Sequence, residues 1–230
     1  MVDSPTRYPT ALSPHVALGA GCYWGTEQYV WREFQKKFSG SIRTCRVGFM
    51  SPEPDAVAYP SYQDVCASRT SYIEVVHVEL FNPEAHFKEI IRFFFQFHDP
   101  TCRDRQGNDI GEEIGVCCVL RQIEDWNEAM FDIFALRNNH WVILSIYHLY
   151  FTGKHYASAI FVHDDEQKRQ AEAVRSELQD HLDSGRFRPR GIVGIRIATK
   201  IHKANTFYEA HEEHQKYIEK NPFCMTYGFR

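Results

Sequence analysis

The sequence predicts an α+β fold, a two-layer sandwich in which a mixed sheet carries flanking helices and the chain ends in a coil C-terminal tail. Strand-like and helix-like segments alternate through residues 15–100 and again after residue 154, the pattern of sheet-and-helix layers. The chain has 230 residues with 43% hydrophobic content, enough for one domain with a sizeable core. No internal repeat is visible, so residues 1–230 are read as a single domain.

The elements follow in order. "HVALGAGCYW" is a short strand ending in a glycine turn. A helix is expected over Thr26 to Phe38, where Thr26, Tyr29/Val30 and Glu33/Phe34 give a partial 3.6 period, and Gly40 ends it. "SIRTCRVGFM" is a second strand, with Ile42, Thr44 and Arg46 on one face and Arg43, Cys45 and Val47 on the other. "SPEPDAVAYPSY" is a proline-rich loop. "YIEVVHVELF", residues 72–81, is the clearest strand. A helix follows over 83–100, with Pro83 at its start and Pro100 after its end. "HYASAIFVH" (155–163) is a strand. Asp164 or Asp165 then caps a helix to about Leu182, with Ala171, Val174, Leu178 and Leu182 as its apolar stripe. "GIVGIRIATKI" reads as a further strand and "FYEAHEEHQKYIEK" as a last helical stretch before the tail. Residues 111–152 do not fit this rhythm: they are dense in bulky apolar and aromatic side chains and hold no steady period.

Bulk properties exclude several function classes. The net charge is −4, and no basic stripe marks a nucleic-acid footprint. No run of 18 apolar residues exists, so no membrane span is expected. The seven cysteines form no C-x-x-C pair and no zinc-type spacing with histidine, so no metal is expected. The first residues lack a basic start followed by an apolar core, and the expected compartment is a reducing, cytoplasmic one.

Two residues stand out as chemistry. Cys22 lies at a strand-to-helix turn, where the partial positive charge of a helix start favours thiolate. Gly19, Gly21 and Gly25 around it allow close backbone approach. Local context leaves it equally a buried filler. Glu74 shares a strand face with Val76, Val78 and Leu80. Turned to the core it would be a proton donor near neutral pH; turned to solvent it would be an ordinary glutamate. The polar loop 98–109, with His98, Asp99, Arg105, Asn108 and Asp109, is either a site wall or a surface connection.

Taken together, "GCYWGTE", "PSYQDVCASRT" with Glu74, "HDPT…RQGND", "HYASAIF…EQ" and "FYEA…HQKY…KNP" occur in the order seen in A-type peptide-methionine sulfoxide reductases. The sequence resembles that family over roughly residues 15–110 and 153–224. The resemblance implies a ferredoxin-like, elaborated version of the sandwich. It implies that Cys22 attacks the sulfur of a methionine S-sulfoxide, that Glu74 protonates the departing oxygen, and that Tyr62 and a second tyrosine hold that oxygen. Asp109 matches the aspartate that orients the polar half of the substrate. Tyr23, where the family usually has Phe, and Trp24 match the pocket for the methyl group. The product is a cysteine sulfenic acid, which a tail cysteine resolves; Cys224 is the one available. Cys66 is structural by the same resemblance. No bound cofactor is implied. The implied partners are free or protein-bound methionine sulfoxide as substrate and thioredoxin, or dithiothreitol in vitro, as reductant. Neither a nucleic acid nor a membrane is expected as a partner, and the chain is expected to be a monomer.

Two departures follow. The family's second tyrosine comes five residues after the aspartate, which here is Ile114; aligning Gly153-Lys154-His155-Tyr156 instead makes it Tyr156 and leaves 111–152 as an insertion. That insertion reads either as a translated intron or gene-model error, or as a genuine hairpin or partner surface. The alternative to an active enzyme is therefore a catalytically impaired product whose insertion disrupts the site or serves as an interaction surface. Different thiol chemistry, a peroxidase or an acyl transferase, is the third reading. The second departure is Glu213 before His214-Gln215, where the family often has Tyr; it implies no catalytic loss.

Overall fold

A computed structural model describes residues 11–104, 154–185 and 194–221. Asp109, Cys224, the segment 111–152 and residues 191–193 of the expected fifth strand lie outside them. The described residues form one six-stranded sheet in the order β5-β4-β1-β3-β2-β6. The strands are β1 (His15–Ala20), β2 (Ile42–Met50), β3 (Ile73–Leu80), β4 (Ser158–Val162), β5 (Lys200–Lys203) and β6 (Phe207–Glu209). All neighbours pair antiparallel except β4 and β5, which are parallel. The central order β4-β1-β3-β2, with a helical crossover between β1 and β2 and another between β3 and β4, is the ferredoxin-like arrangement, so the sheet is mixed and the class is α+β as expected.

The helices are α1 (Tyr23–Gln28), which runs through a π-helical stretch (Tyr29–Phe34) into α2 (Gln35–Lys37), then α3 (Tyr62–Cys66), α4 (Pro83–Phe94), α5 (Asp165–Asp183) and α6 (Tyr217–Lys220). The alternation of β3 places Val76, Val78 and Leu80 in the main core with Val16, Leu18, Phe34, Ile90, Ile91 and Phe94, and Val75 and Ile73 on the other side of the sheet. Core α4 side chains recur at Phe87, Ile90, Ile91 and Phe94, an i, i+3, i+4, i+7 stripe. Asn82 caps this helix through Ala85 N–H, and Pro83 occupies its first turn, where no backbone donor is needed. Asp164 caps α5 in the same way through Gln167 N–H, 2.7 Å.

Several expectations are corrected. The first helix begins at Tyr23, immediately after Cys22, three residues earlier than its apolar period suggests. The strict alternation expected for β2 fails at its start: a register shift between Ile42 and Thr44 turns Ile42 to the same core as Cys45 and Val47. The helix expected to reach residue 100 ends at Phe94. There His98 donates Nδ1–H to the Phe94 carbonyl (2.7 Å) and meets Ser158 Oγ at 2.8 Å, which pins the helix end to β4. The turn that follows is closed by Asp99, which accepts from the Thr101 backbone and hydroxyl. His98 and Asp99 are thus holding the fold here. The expected strand 191–201 is regular only over β5, because residues 195–199 bond instead to Gln179 and to the Pro100 carbonyl. The last helical stretch is mostly not helix: Phe207–Glu209 pairs with Gly48–Met50 of β2, and only Tyr217–Lys220 is helical. No helix of the described residues is long and apolar enough to cross a membrane.

Burial holds the His77, His98 and His155 imidazoles down to about 4. Their folded pKa values lie below the ordinary value of about 6.5, so the unfolded chain binds more protons between those limits. The stability they contribute is complete above about pH 6.5 and is lost as the pH falls through about 4. Urea unfolding at pH 7, 5.5 and 4 should therefore show a falling midpoint, and His98→Gln should lower stability at pH 7 by on the order of 1–3 kcal/mol through the Phe94 carbonyl left without its donor while flattening part of that pH dependence.

Candidate active site

The site forms where β1 meets α1. Gly21, at φ +83°, makes the turn between them, a backbone conformation that favours glycine. Cys22 is the residue before the first helical one, and its carbonyl accepts from Thr26 N–H (3.3 Å) and the Thr26 hydroxyl (3.2 Å). The sulfur thus stands at the start of a helical run that continues to Lys37, the end of the helix whose partial positive charge favours an anion.

Glu74 comes from β3, next to β1. Its side chain is turned inward, only 1% exposed, and its Oε2 accepts the Tyr23 backbone N–H at 3.0 Å. Burial pushes the carboxyl up to about 8, against the smaller, opposing pull of the Tyr23 N–H. At neutral pH it therefore carries a proton, with one oxygen occupied by the helix start beside Cys22. Of the two environments open from the sequence, the structure has the inward one.

Two tyrosines approach the same point from different elements. Tyr62, the last residue of the expected proline-rich loop, instead begins α3. Ser61 caps it by accepting Asp64 N–H at 3.1 Å. Tyr156 ends a 3₁₀ turn, Lys154–Tyr156, that leads into β4. Both phenols are raised by burial, and nearby Glu74 raises them further, which keeps both hydroxyls protonated. Cys22 acts on both in the same direction. His155 Nδ1 lies 3.1 Å from Ser68 Oγ, joining the turn of Tyr156 to the end of α3. The structure thus brings Cys22, Glu74, Tyr62 and Tyr156 together. Cys66, one turn after Tyr62, hydrogen-bonds to it; burial and Glu74 push that thiol up to about 12, so it stays protonated.

Opposite these polar groups is an aromatic wall. Tyr23 is 1% and Trp24 4% exposed. Phe49, paired across the strands with Glu74, lies with its ring 5.8 Å from Tyr23 and 6.3 Å from Tyr62. The sequence reading missed the two residues that complete the wall, His214 and Tyr217. Tyr217 stacks flat on Trp24 at 3.9 Å, and His214 stacks on Trp24 at 5.6 Å and lies 4.9 Å from Tyr62. Both rings stand in the matching motif "HQKY", but the left-handed turn between them and their contact with Trp24 come from tertiary packing. The hydroxyl of Tyr23 has a use: it lies 3.1 Å from His214 Nδ1. Glu213, beside it, is exposed and reaches only to 3.8 Å from His214 Nε2. Among the described residues no group of His, Cys, Asp and Glu is arranged to hold a metal ion.

A cysteine at a helix start, a protonated buried carboxyl and two phenols on one side, and an aromatic wall on the other make a site for a small polar oxygen next to an apolar group. Comparison with known proteins points the same way. The family model described as peptide methionine sulfoxide reductase matches residues 14–140 and 148–228. The peptide methionine sulfoxide reductase MsrA of Methanothermobacter thermautotrophicus is 35% identical over 93% of this chain and 90% of its own. The peptide methionine sulfoxide reductase of Saccharomyces cerevisiae is 27% identical over 100% of this chain and 97% of its own. The solved structure of Mxr1 from Saccharomyces cerevisiae in reduced form superposes with a TM-score of 0.60 at 27% identity, covering 100% of this chain and 99% of that one. The chain belongs to the peptide methionine sulfoxide reductase family.

Proposed function

We propose that the chain reduces methionine S-sulfoxide, free or in proteins, to methionine, and so repairs oxidised proteins. The observation that carries this reading is the convergence of Cys22 with the protonated Glu74 and the two phenols Tyr62 and Tyr156. Each supplies one requirement of the reaction. The Cys22 sulfur attacks the sulfoxide sulfur. The new S–S bond forms as the oxygen takes a proton from Glu74, with the hydroxyls of Tyr62 and Tyr156 holding it; the resulting hydroxyl then passes to the Cys22 sulfur as the substrate's S–O bond and the S–S bond both break. The products are methionine and a sulfenic acid on Cys22, so the sulfoxide is reduced by two electrons and the cysteine oxidised by two. Buried phenols with raised pKa values are suited to donate hydrogen bonds without losing their protons. Tyr23, Trp24 and the rings behind them would receive the methyl group. A sulfoxide sulfur carries one oxygen and one methyl in a fixed hand, so a polar wall facing an aromatic wall selects one epimer. Asp109 is assigned to the polar half of the substrate by the resemblance alone.

Cys224 is proposed as the resolving thiol. It condenses with the sulfenic acid, releasing water and leaving a Cys22–Cys224 disulfide. The last described residue, Asn221, is three positions before it, and Tyr217 already lies on Trp24 beside Cys22. The tail therefore leaves the fold near the site, which supports the pairing. An external dithiol of the thioredoxin type then reduces the disulfide, so the chemistry calls for no bound cofactor. Residues 111–152 are proposed as an atypical insertion within a single domain: the described segments on either side carry the whole ferredoxin-like order, although the family model matches most of the insertion as well. The absence of disulfide-framework spacing among the cysteines supports a reducing, cytoplasmic compartment.

With dithiothreitol as reductant, the protein should turn over the S epimer of methionine sulfoxide and leave the R epimer. Cys22→Ser should abolish that activity; residual turnover would remove Cys22 from the mechanism. The rate of sulfenic acid formation in a single turnover should fall as the pH rises through about 8, where Glu74 loses its proton. Glu74→Gln should lower this rate by roughly 10²–10⁴-fold and erase that alkaline limb. Cys224→Ser should retain turnover with dithiothreitol while losing most of it with thioredoxin; equal loss with both would reassign the cysteine.

A further inference from the structure

The C-terminal strap that carries His214 and Tyr217 is held to the catalytic helix by a residue the proposed mechanism does not use. Glu27 is on α1, four residues after Tyr23, so the two side chains lie on one face, one turn apart. Tyr23 reaches His214 Nδ1 at 3.1 Å. Glu27 Oε2 accepts the backbone N–H of Lys216 at 2.8 Å. Two successive turns of the helix thus clasp alternate residues of the strap.

Glu27 is unusual for its position. It is 3% exposed, and its second oxygen, Oε1, is buried with no partner among the described residues. A buried carboxyl with half of its capacity unused is costly unless the remaining bond matters. That bond goes to a residue in an uncommon backbone conformation: Lys216 has φ +50° and ψ +39°, left-handed, and directly precedes α6. The left-handed turn is what rotates the chain so that His214, before it, and Tyr217, after it, both lie against Trp24. The rest of the strap is fixed elsewhere. Gln215 spreads its side-chain amide over Val47 N–H, the Val47 carbonyl and the Ala210 carbonyl, docking the strap on β2. Lys216 Nζ lies 4.5 Å from the Trp31 ring. The Lys216 carbonyl accepts from Lys220 N–H at 3.0 Å within the short helix that follows, and the bond to Glu27 is the one that ties the backbone of the turn to α1.

We propose that Glu27 is a positioning residue for this reaction: by holding the Lys216 amide it keeps the left-handed turn that sets His214 and Tyr217 as the outer part of the methyl-binding wall. The proposal rests on the methionine sulfoxide reductase reading of the site. Because either the neutral or the ionised carboxyl accepts a hydrogen bond, and the amide oxygen of glutamine does too, Glu27→Gln keeps the clasp and Glu27→Ala removes it.

The test compares the full-length wild type, Glu27→Ala and Glu27→Gln in two measurements. Backbone hydrogen exchange reads the clasp without any substrate: amides of residues 214–220 should exchange about tenfold or more faster in Glu27→Ala, with β1 and β3 as protected as before, and return towards wild-type protection in Glu27→Gln. Steady-state kinetics on methionine S-sulfoxide with dithiothreitol then read its consequence: KM should rise about tenfold in Glu27→Ala, with kcat within about threefold, and Glu27→Gln should restore KM. Unchanged exchange in Glu27→Ala, or exchange lost equally from β1 and β3 in both variants, overturns the proposal. So does a changed exchange with an unchanged KM. A wild type with no turnover defeats the reductase reading instead, while the exchange result still stands for or against the clasp.

Discussion

The bond from the Tyr23 amide to the Glu74 carboxyl is the contact on which the site depends. It crosses from β3 to the first turn of α1, and so fixes a strand residue against the helix that begins beside Cys22. The same bond occupies one carboxyl oxygen and pulls weakly towards ionisation, while the surrounding core pulls strongly the other way. Burial prevails, and a carboxylic acid stays protonated next to a cysteine. The ordinary forces of folding, the apolar face of β3 and the need of a helix start for acceptors, thus create the pair that the chemistry requires.

Around this pair the chain assembles in layers of increasing sequence distance. β1 and β3 are neighbours in the sheet, so Cys22 and Glu74 are brought together by strand pairing alone. Tyr62 arrives on a short capped helix between β2 and β3, and Tyr156 on the 3₁₀ turn before β4, the two joined through His155 and Ser68. The aromatic wall is closed last, by a strap from the C-terminal segment that docks through Gln215 on β2.

Much of this was legible in the sequence, and for definite reasons. The period of β3 puts Glu74 on one face with Val76, Val78 and Leu80, but whether that end of the face is buried is decided by the packing around it. The stripe of Ala171, Val174 and Leu178 gives α5, and Asp164 gives its start. Cys22 stood at a turn, but only the order of several motifs singled it out from a buried filler. The displaced Tyr156 could be found because the strand after it, rather than its spacing from Asp109, identifies it. What was not legible depends on tertiary context. Phe207–Glu209 sits within a run of helix-forming residues, and only the open edge of β2 makes it a strand. α3 begins at the end of a proline-rich stretch, and its start is set by the Ser61 cap rather than by periodicity. His214, Tyr217 and Glu27 acquire their places from contacts nearly 190 residues apart in the chain, as with Lys216 and Glu27, which no local pattern encodes.

Everything in the site turns on Glu74 being a neutral acid at pH 7 in the folded protein. Infrared difference spectroscopy of the reduced protein, titrated from pH 6 to pH 10 and compared with Glu74→Gln, measures this directly. A protonated-carboxyl carbonyl band should be present at pH 7, disappear with a midpoint near 8 and be absent from the variant. A Glu74 that gives only carboxylate bands at pH 7 would contradict that.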